Sequence, residues 1–135
     1  MKELIVPAEI ERLYEVQAFV EGLMEESGLS MRMINRVSLV VEEIYVNIAG
    51  NAYFPGEGDV VIRCTIGDDH SLELEFEDQG KPYDPLEEAK PDINLSAEER
   101  EIGGLGIFLY RSIMDETEYR FENGKNILTL RKKEE

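Results

Sequence analysis

Glu43, Asn47 and Asn51 recur at every fourth position of one segment. On a helix they fall in a single stripe. At about 100° per residue, the stripe lies beside the apolar seam Ile34, Val37, Val41, Ile44, Ile48 rather than opposite it. Its polar groups stand at the margin of the core, where a carboxylate is costly unless it is paired or solvated in a cleft. A carboxylate and an amide one turn apart offer oxygen ligands, and magnesium prefers oxygen and keeps several waters. Taken alone, the stripe fits the ordinary boundary of an amphipathic helix better.

Asp78 is the second chemically pointed residue. In Leu72-Glu73-Leu74-Glu75-Phe76-Glu77-Asp78 the side chains of a strand alternate faces, and Asp78 falls on the Leu/Phe side. An aspartate aimed inward from the end of an apolar face needs a donor, and the exocyclic amine of adenine is one. A turn aspartate before Gln79-Gly80 is the competing account. Third, Ile102-Gly103-Gly104-Leu105-Gly106 precedes an apolar helical stretch. Glycines there let a backbone approach an anion, and a helix N-terminus presents free N–H groups and positive dipole to phosphate. By itself a Gly-rich helix start is a weak signal. Fourth, residues 86–102 form a long polar segment with Pro91 inside and Lys90 and Arg100 as its cations. Between Asp78 and the glycines it reads as a lid whose cations meet phosphate, or as a solvated loop.

The elements that would position these residues follow from pattern. Residues 2–6 read as a strand ended by Pro7. Residues 8–27 read as a helix on Ile10, Leu13, Val16, Val20 and Leu23, stopped at Gly28. Ser30 caps a second helix running to about Tyr53. Residues 59–66 and 71–78 alternate as a hairpin around Gly67-Asp68-Asp69-His70. Residues 104–115 read as a buried helix, and 117–122 and 126–131 as strands joined at Asn123-Gly124. The order β-α-α-β-β-loop-α-β-β predicts an α+β fold: a two-layer α/β sandwich, its mixed, mostly antiparallel sheet carrying helices on one face. The other sheet face is left to water or to a second copy.

The chain has 135 residues, the length of one domain, and a formal net charge of −16. Nucleic acid and anionic membrane repel such a polyanion, so neither is expected as a direct partner. Cys64 is the single cysteine. It alternates with Val60, Ile62 and Ile66, which makes it a core residue rather than a nucleophile. The opening residues MKELIVPAEIERL lack the apolar stretch of a signal peptide, and no run approaches membrane-spanning length. A cytoplasmic protein is expected.

Order and spacing lift these features together. E-x-x-x-N on a helix, D-x-G-x-x-Y-D-P after a strand, a lid, then G-G-L-G before a helix resembles the GHKL (Bergerat-fold, histidine-kinase-like) ATPase superfamily. The compact size and the pieces DQGKPYDP and GGLGIFLYRSIMDE resemble its bacterial anti-sigma factor and serine/threonine protein kinase family. The resemblance covers nearly the whole chain, read as one domain over 1–135 with a lid at about 86–102.

That resemblance implies ATP (or ADP) with Mg2+. Glu43 matches the general base, Asn47 the magnesium ligand and Asp78 the adenine-binding aspartate, with Gly80 allowing close approach to the base. Gly104 and Gly106 match the glycines around the phosphates, with Gly103 beside them. Asn51, Tyr83, Arg100 and Leu105 count as further nucleotide-contacting positions. It also implies a sigma factor and a small anti-sigma antagonist as partners, phosphorylation of an antagonist serine, and a homodimer. The chain departs from relatives at Gly50-Asn51, where His is frequent. It departs from histidine kinases at Ile102, which replaces the first glycine of G-x-G-x-G; this favours the anti-sigma branch. A histidine kinase reading also lacks a suitable histidine, since His70 sits in a hairpin turn. The alternatives are a non-catalytic ATP-dependent module that sequesters a sigma factor or signalling partner, and a simple ATPase in which Glu43 activates water.

Overall fold

The computed structural model describes residues 1–87 and 104–134, with the backbone alone at 87 and 104–108. Five strands and three α-helices follow one another as β1 (Lys2–Pro7), α1 (Leu13–Glu26), α2 (Met31–Asn51), β2 (Asp59–Ile66), β3 (Leu72–Asp78), α3 (Gly104–Ile113), β4 (Glu116–Glu122) and β5 (Lys125–Lys132). The order of elements is the one expected from the sequence.

Local chemistry sets the boundaries. The Ser30 hydroxyl accepts from the Met33 N–H at 3.1 Å and caps α2. Asn123 and Gly124 both adopt positive φ, 53° and 77°. A two-residue hairpin turn whose twist matches the flanking strands needs that conformation, and Asn-Gly tolerates it best. The first helix starts later than residue 8. Ile10–Arg12 form a separate 3-10 turn, and Ile10 is 49% exposed instead of lying in the apolar stripe. The cause lies in Glu9, whose backbone is extended and whose carbonyl is taken by the buried Tyr45 hydroxyl at 2.6 Å. The α-helical stripe that packs is Val16, Val20 and Met24.

The strands pair in the order β1-β2-β3-β5-β4, antiparallel at each of the four pairings rather than mixed. The last strand is therefore inserted between β3 and β4. One face of the sheet joins the helices in a single core. Val60, Ile62 and Cys64 of β2, Leu72, Leu74 and Phe76 of β3, and Leu128 and Leu130 of β5 meet Val37, Val41, Ile44 and Tyr45 of α2. Burying side chains of this size contributes about 1.5–3 kcal/mol each before entropy is counted. Cys64 is buried among them, and burial pushes its thiol up to about 11, so it stays a neutral core residue. His70 occupies the β2–β3 turn with φ 64°, its Nδ1 2.8 Å from Glu134. Among the described residues no helix is long and apolar enough to cross a membrane.

Candidate functional site

The two residues that end the core face of the sheet are polar. Asp78 and Asn126 face each other across β3 and β5, and each is 6% exposed. They close one end of a cavity of about 280 Å³, walled by Ile44, Asn47, Ile48 and Asn51 of α2 and by Phe76 of β3. Ala52 at the end of α2, Tyr110 of α3, Tyr119 of β4, Leu128 of β5, and Lys81, Tyr83 and Pro85 after β3 complete it. Ile44, Ile48, Phe76 and Leu128 give the cavity an apolar wall, and Asp78, Asn126, Asn47 and Asn51 add a few polar groups, the usual composition of a small-ligand site.

Asp78 reaches this place because β3 alternates strictly. Its Oδ1 accepts from the Gly80 N–H and from Asn126 Nδ2, each at 2.9 Å. Burial pushes its carboxyl pKa up from the usual range, and those two donors pull against the rise. Its Oδ2 engages none of the described residues. The aspartate is thus aimed inward, as the alternation predicts, with neutral donors and one free oxygen.

The end of α2 is fastened to the segment after β3. The Lys81 N–H donates to the Ala52 carbonyl at 3.1 Å. The Tyr53 hydroxyl donates to the Asp59 carbonyl at 2.6 Å and accepts from the Gln79 N–H at 2.7 Å. Gly80 fits only as glycine: a Cβ there would stand 2.1 Å from the Ala52 carbonyl oxygen. Its close approach serves this backbone contact between α2 and the strand end.

The helical stripe is divided by the structure. Asn47 and Asn51 line the cavity, and Asn51 Nδ2 donates back to the Asn47 carbonyl at 3.0 Å. Glu43, one turn earlier, is half-buried outside the cavity lining. Neither the Glu43 carboxylate nor the Asn47 carboxamide has a partner among the described residues. Tyr83 lines the cavity, and its N–H donates to Asn126 at 3.1 Å. Gly104, Leu105 and Gly106 form the first turn of α3, whose Tyr110 reaches the cavity wall. Gly103, Arg100, Lys90 and nearly all of the lid segment lie outside the described residues.

Sequence reasoning missed Asn126, Tyr119, Tyr110 and Lys81. Asn126 left a trace, since in Asn126-Ile127-Leu128-Thr129-Leu130 it begins the side that carries the leucines. The others depend on which strands and helices become neighbours. Among the described residues no three His, Cys, Asp or Glu groups come together as a metal cage. One amide oxygen with one carboxylate nearby suits a cation held largely by a ligand's own oxygens and water, which fits magnesium.

Residues 6–132 match the family model described as histidine kinase-like ATPase domain. The chain is 30% identical over 132 residues to the serine-protein kinase RsbW of Listeria monocytogenes, covering 93% of this chain and 82% of that one. It is 28% identical over 131 residues to the serine-protein kinase RsbW of Halalkalibacterium halodurans, with 90% and 76% covered. Among solved structures it is similar to the RsbU and RsbW domains of a Mycobacterium tuberculosis protein. That likeness has a TM-score of 0.67 at 16% identity and covers 99% of this chain and 33% of that longer one. It is also similar to a blue-light activated histidine kinase of Erythrobacter litoralis, at TM-score 0.58, 14% identity, and 92% and 40% coverage. At these identities the structural likeness is one of fold.

Proposed function

Because the chain belongs to the histidine kinase-like ATPase domain family and counts serine-protein kinases named RsbW among its relatives, we propose that it is an ATP-dependent serine/threonine protein kinase acting as an anti-sigma factor. The observation that carries the nucleotide part is the buried Asp78 at the polar end of the cavity, with Oδ2 engaged by none of the described residues. A flat base fits between Ile44, Ile48, Phe76 and Leu128, and its exocyclic amine meets that oxygen. The transferred phosphate goes to a serine of a small anti-sigma antagonist, and the sigma factor is the second protein partner. A cytoplasmic homodimer is the expected form.

This chain's residues divide the work. Asn47, at the cavity wall with its carboxamide free, would hold the magnesium ion, which when bound neutralises charge on the triphosphate. The first turn of α3, at Gly104, Leu105 and Gly106, directs backbone N–H groups at the phosphates. Arg100 is assigned to the same phosphates as a cation of the lid segment in the sequence, and Gly103 as the neighbour of the motif glycines. Glu43 accepts the proton of the acceptor serine hydroxyl; its place outside the cavity lining suits a group that addresses a second substrate. Phosphoryl transfer of this kind rests on positioning and electrostatics more than on covalent chemistry by the protein.

The test is incubation with labelled ATP and a candidate antagonist domain. Label on an antagonist serine is expected. Glu43→Gln is expected to keep nucleotide affinity within about threefold and to lower transfer by about 100-fold or more. Normal transfer by that variant removes Glu43 as the base. Tight ATP binding with no label on any partner supports the sequestering module instead, and label released as free phosphate supports a simple ATPase.

A further inference from the structure

The base end of the cavity depends on a residue whose own polar atoms are all consumed. Asn126 Nδ2 donates to Asp78 Oδ1 at 2.9 Å and to the Lys81 carbonyl at 2.9 Å, with the Gly80 carbonyl at 3.4 Å. Its Oδ1 accepts from the Tyr83 N–H and the Tyr119 hydroxyl. The amide nitrogen stands among oxygens and the amide oxygen between donors, so only one orientation of the carboxamide satisfies both ends. Asn126 therefore has nothing left for a ligand, whereas Asp78 keeps Oδ2.

We propose that Asn126, backed by Tyr119, is a positioning residue for nucleobase recognition. It holds Asp78 by one oxygen so that the other is presented to the base, and it pins the 80–83 segment that walls the cavity. This rests on the nucleotide reading of the cavity. Asn126 is the direct cross-strand partner of Asp78, so the contact is set by the β3–β5 register rather than by a mobile loop. A neutral donor is what the task needs: a cation here would satisfy the carboxylate outright and leave the base little to gain.

The charged and titratable groups around Asp78 make the consequence readable. Glu77 precedes it, Lys81 follows it, the Tyr53 hydroxyl beyond the end of α2 lies within its electrostatic reach, and Tyr110 of α3 and Tyr119 of β4 line the same cavity. Asn47 and Asn51 on α2 are neutral. Burial raises the Asp78 pKa, and the hydrogen bond from the Asn126 amide is the main influence opposing that rise. Without that amide, Asp78 holds its proton to higher pH, and a protonated carboxyl is the weaker acceptor for an amine.

The experiment is calorimetric titration of ADP into wild type, Asn126→Leu, Tyr119→Phe and Asp78→Asn from acid to alkaline pH. Each variant is expressed relative to wild type at the same pH, which cancels protonation of the diphosphate itself. Asn126→Leu is expected to bind about tenfold more weakly at the alkaline end, and the deficit is expected to widen as pH falls. Tyr119→Phe should follow in the same direction by about two- to threefold. If Asp78→Asn loses ADP while Asn126→Leu matches wild type in affinity and pH profile, the positioning role is overturned and the base site stands. If Asp78→Asn binds normally, the nucleotide reading itself falls. Should Asn126→Leu lack a cooperative melting transition, Tyr119→Phe decides: a pH-dependent deficit supports the proposal, and an unchanged profile overturns it.

Discussion

Glu77 and Asp78 are consecutive carboxylates, 8% and 6% exposed, on opposite faces of one strand. Glu77 faces away from the helices, where Arg63 Nη1 lies 3.0 Å and Lys125 Nζ 3.7 Å from its oxygens. Arg63 also reaches Glu75 at 2.9 Å and Glu3 at 2.8 Å, and Arg131 joins Glu73 and Glu116 on the same face. Asp78 faces the core and, among the described residues, has only neutral donors. Two buried acids of nearly equal exposure thus differ in how completely they are satisfied. The cation-paired one finishes a structural lattice. The other retains an unmet charge, and a ligand can complete it.

The largest effect that tests this contrast is on binding. Asp78→Asn replaces the free acceptor by a group that can turn a donor toward the base, and ADP affinity is expected to fall by about 100-fold or more. Glu77→Gln, one residue away, is expected to stay within about threefold of wild type, since it removes charge from the far face. Calorimetry on both variants reads the difference. Equal losses would mean that the site depends on the strand's general integrity and not on Asp78.

A smaller effect is expected in stability on the outer face. Arg63→Met leaves Glu75 and Glu77 without their principal cation on a partly buried surface, at a cost of about 1–2 kcal/mol. Denaturant melts should show the loss shrinking with added salt, because salt screens the wild-type pairs. ADP affinity should not move. A variant as stable as wild type would make the outer lattice a set of solvated pairs and narrow the contrast to the inner face alone.

Much of the inner face was legible because period and burial coincide there. Strict alternation in residues 72–78 turns Asp78 inward, and the four-residue spacing of Asn47 and Asn51 brings both to the cavity. The Ser30 cap and the Asn123-Gly124 turn are local events whose chemistry is written in adjacent residues. Asn126 was not found, because its meaning depends on β5 entering between β3 and β4, which no local signal encodes. Ile10 was misplaced for a related reason. Its spacing suits a helix, but a tertiary hydrogen bond from Tyr45 to Glu9 holds the chain extended just before it. Glu43 shares the stripe yet falls outside the cavity lining. Helical spacing fixes a direction, whereas the extent of a cavity is set by what packs opposite.

The smallest effect concerns the fold without ligand, and here the two acids should move in opposite senses. Burial raises the Asp78 pKa in the folded state above its unfolded value. At low pH the group is protonated in both states and costs nothing. As pH rises past the unfolded value the unfolded chain ionises first, and stability is lost until the folded pKa is passed. Asp78→Asn keeps an acceptor for Gly80 and Asn126 and has no charge to desolvate. It should therefore melt like wild type at acid pH and be more stable than wild type at neutral pH. Glu77→Gln at neutral pH should instead be less stable, since it takes a paired charge out of the Arg63 and Lys125 lattice. Thermal melts of ligand-free protein at acid and neutral pH separate the cases. If Asp78→Asn is destabilised at neutral pH as Glu77→Gln is, both carboxylates are structural and the free Asp78 oxygen is not held at a cost to the fold. If it is stabilised while losing ADP, the same carboxylate that weakens the empty protein is the one that the ligand completes.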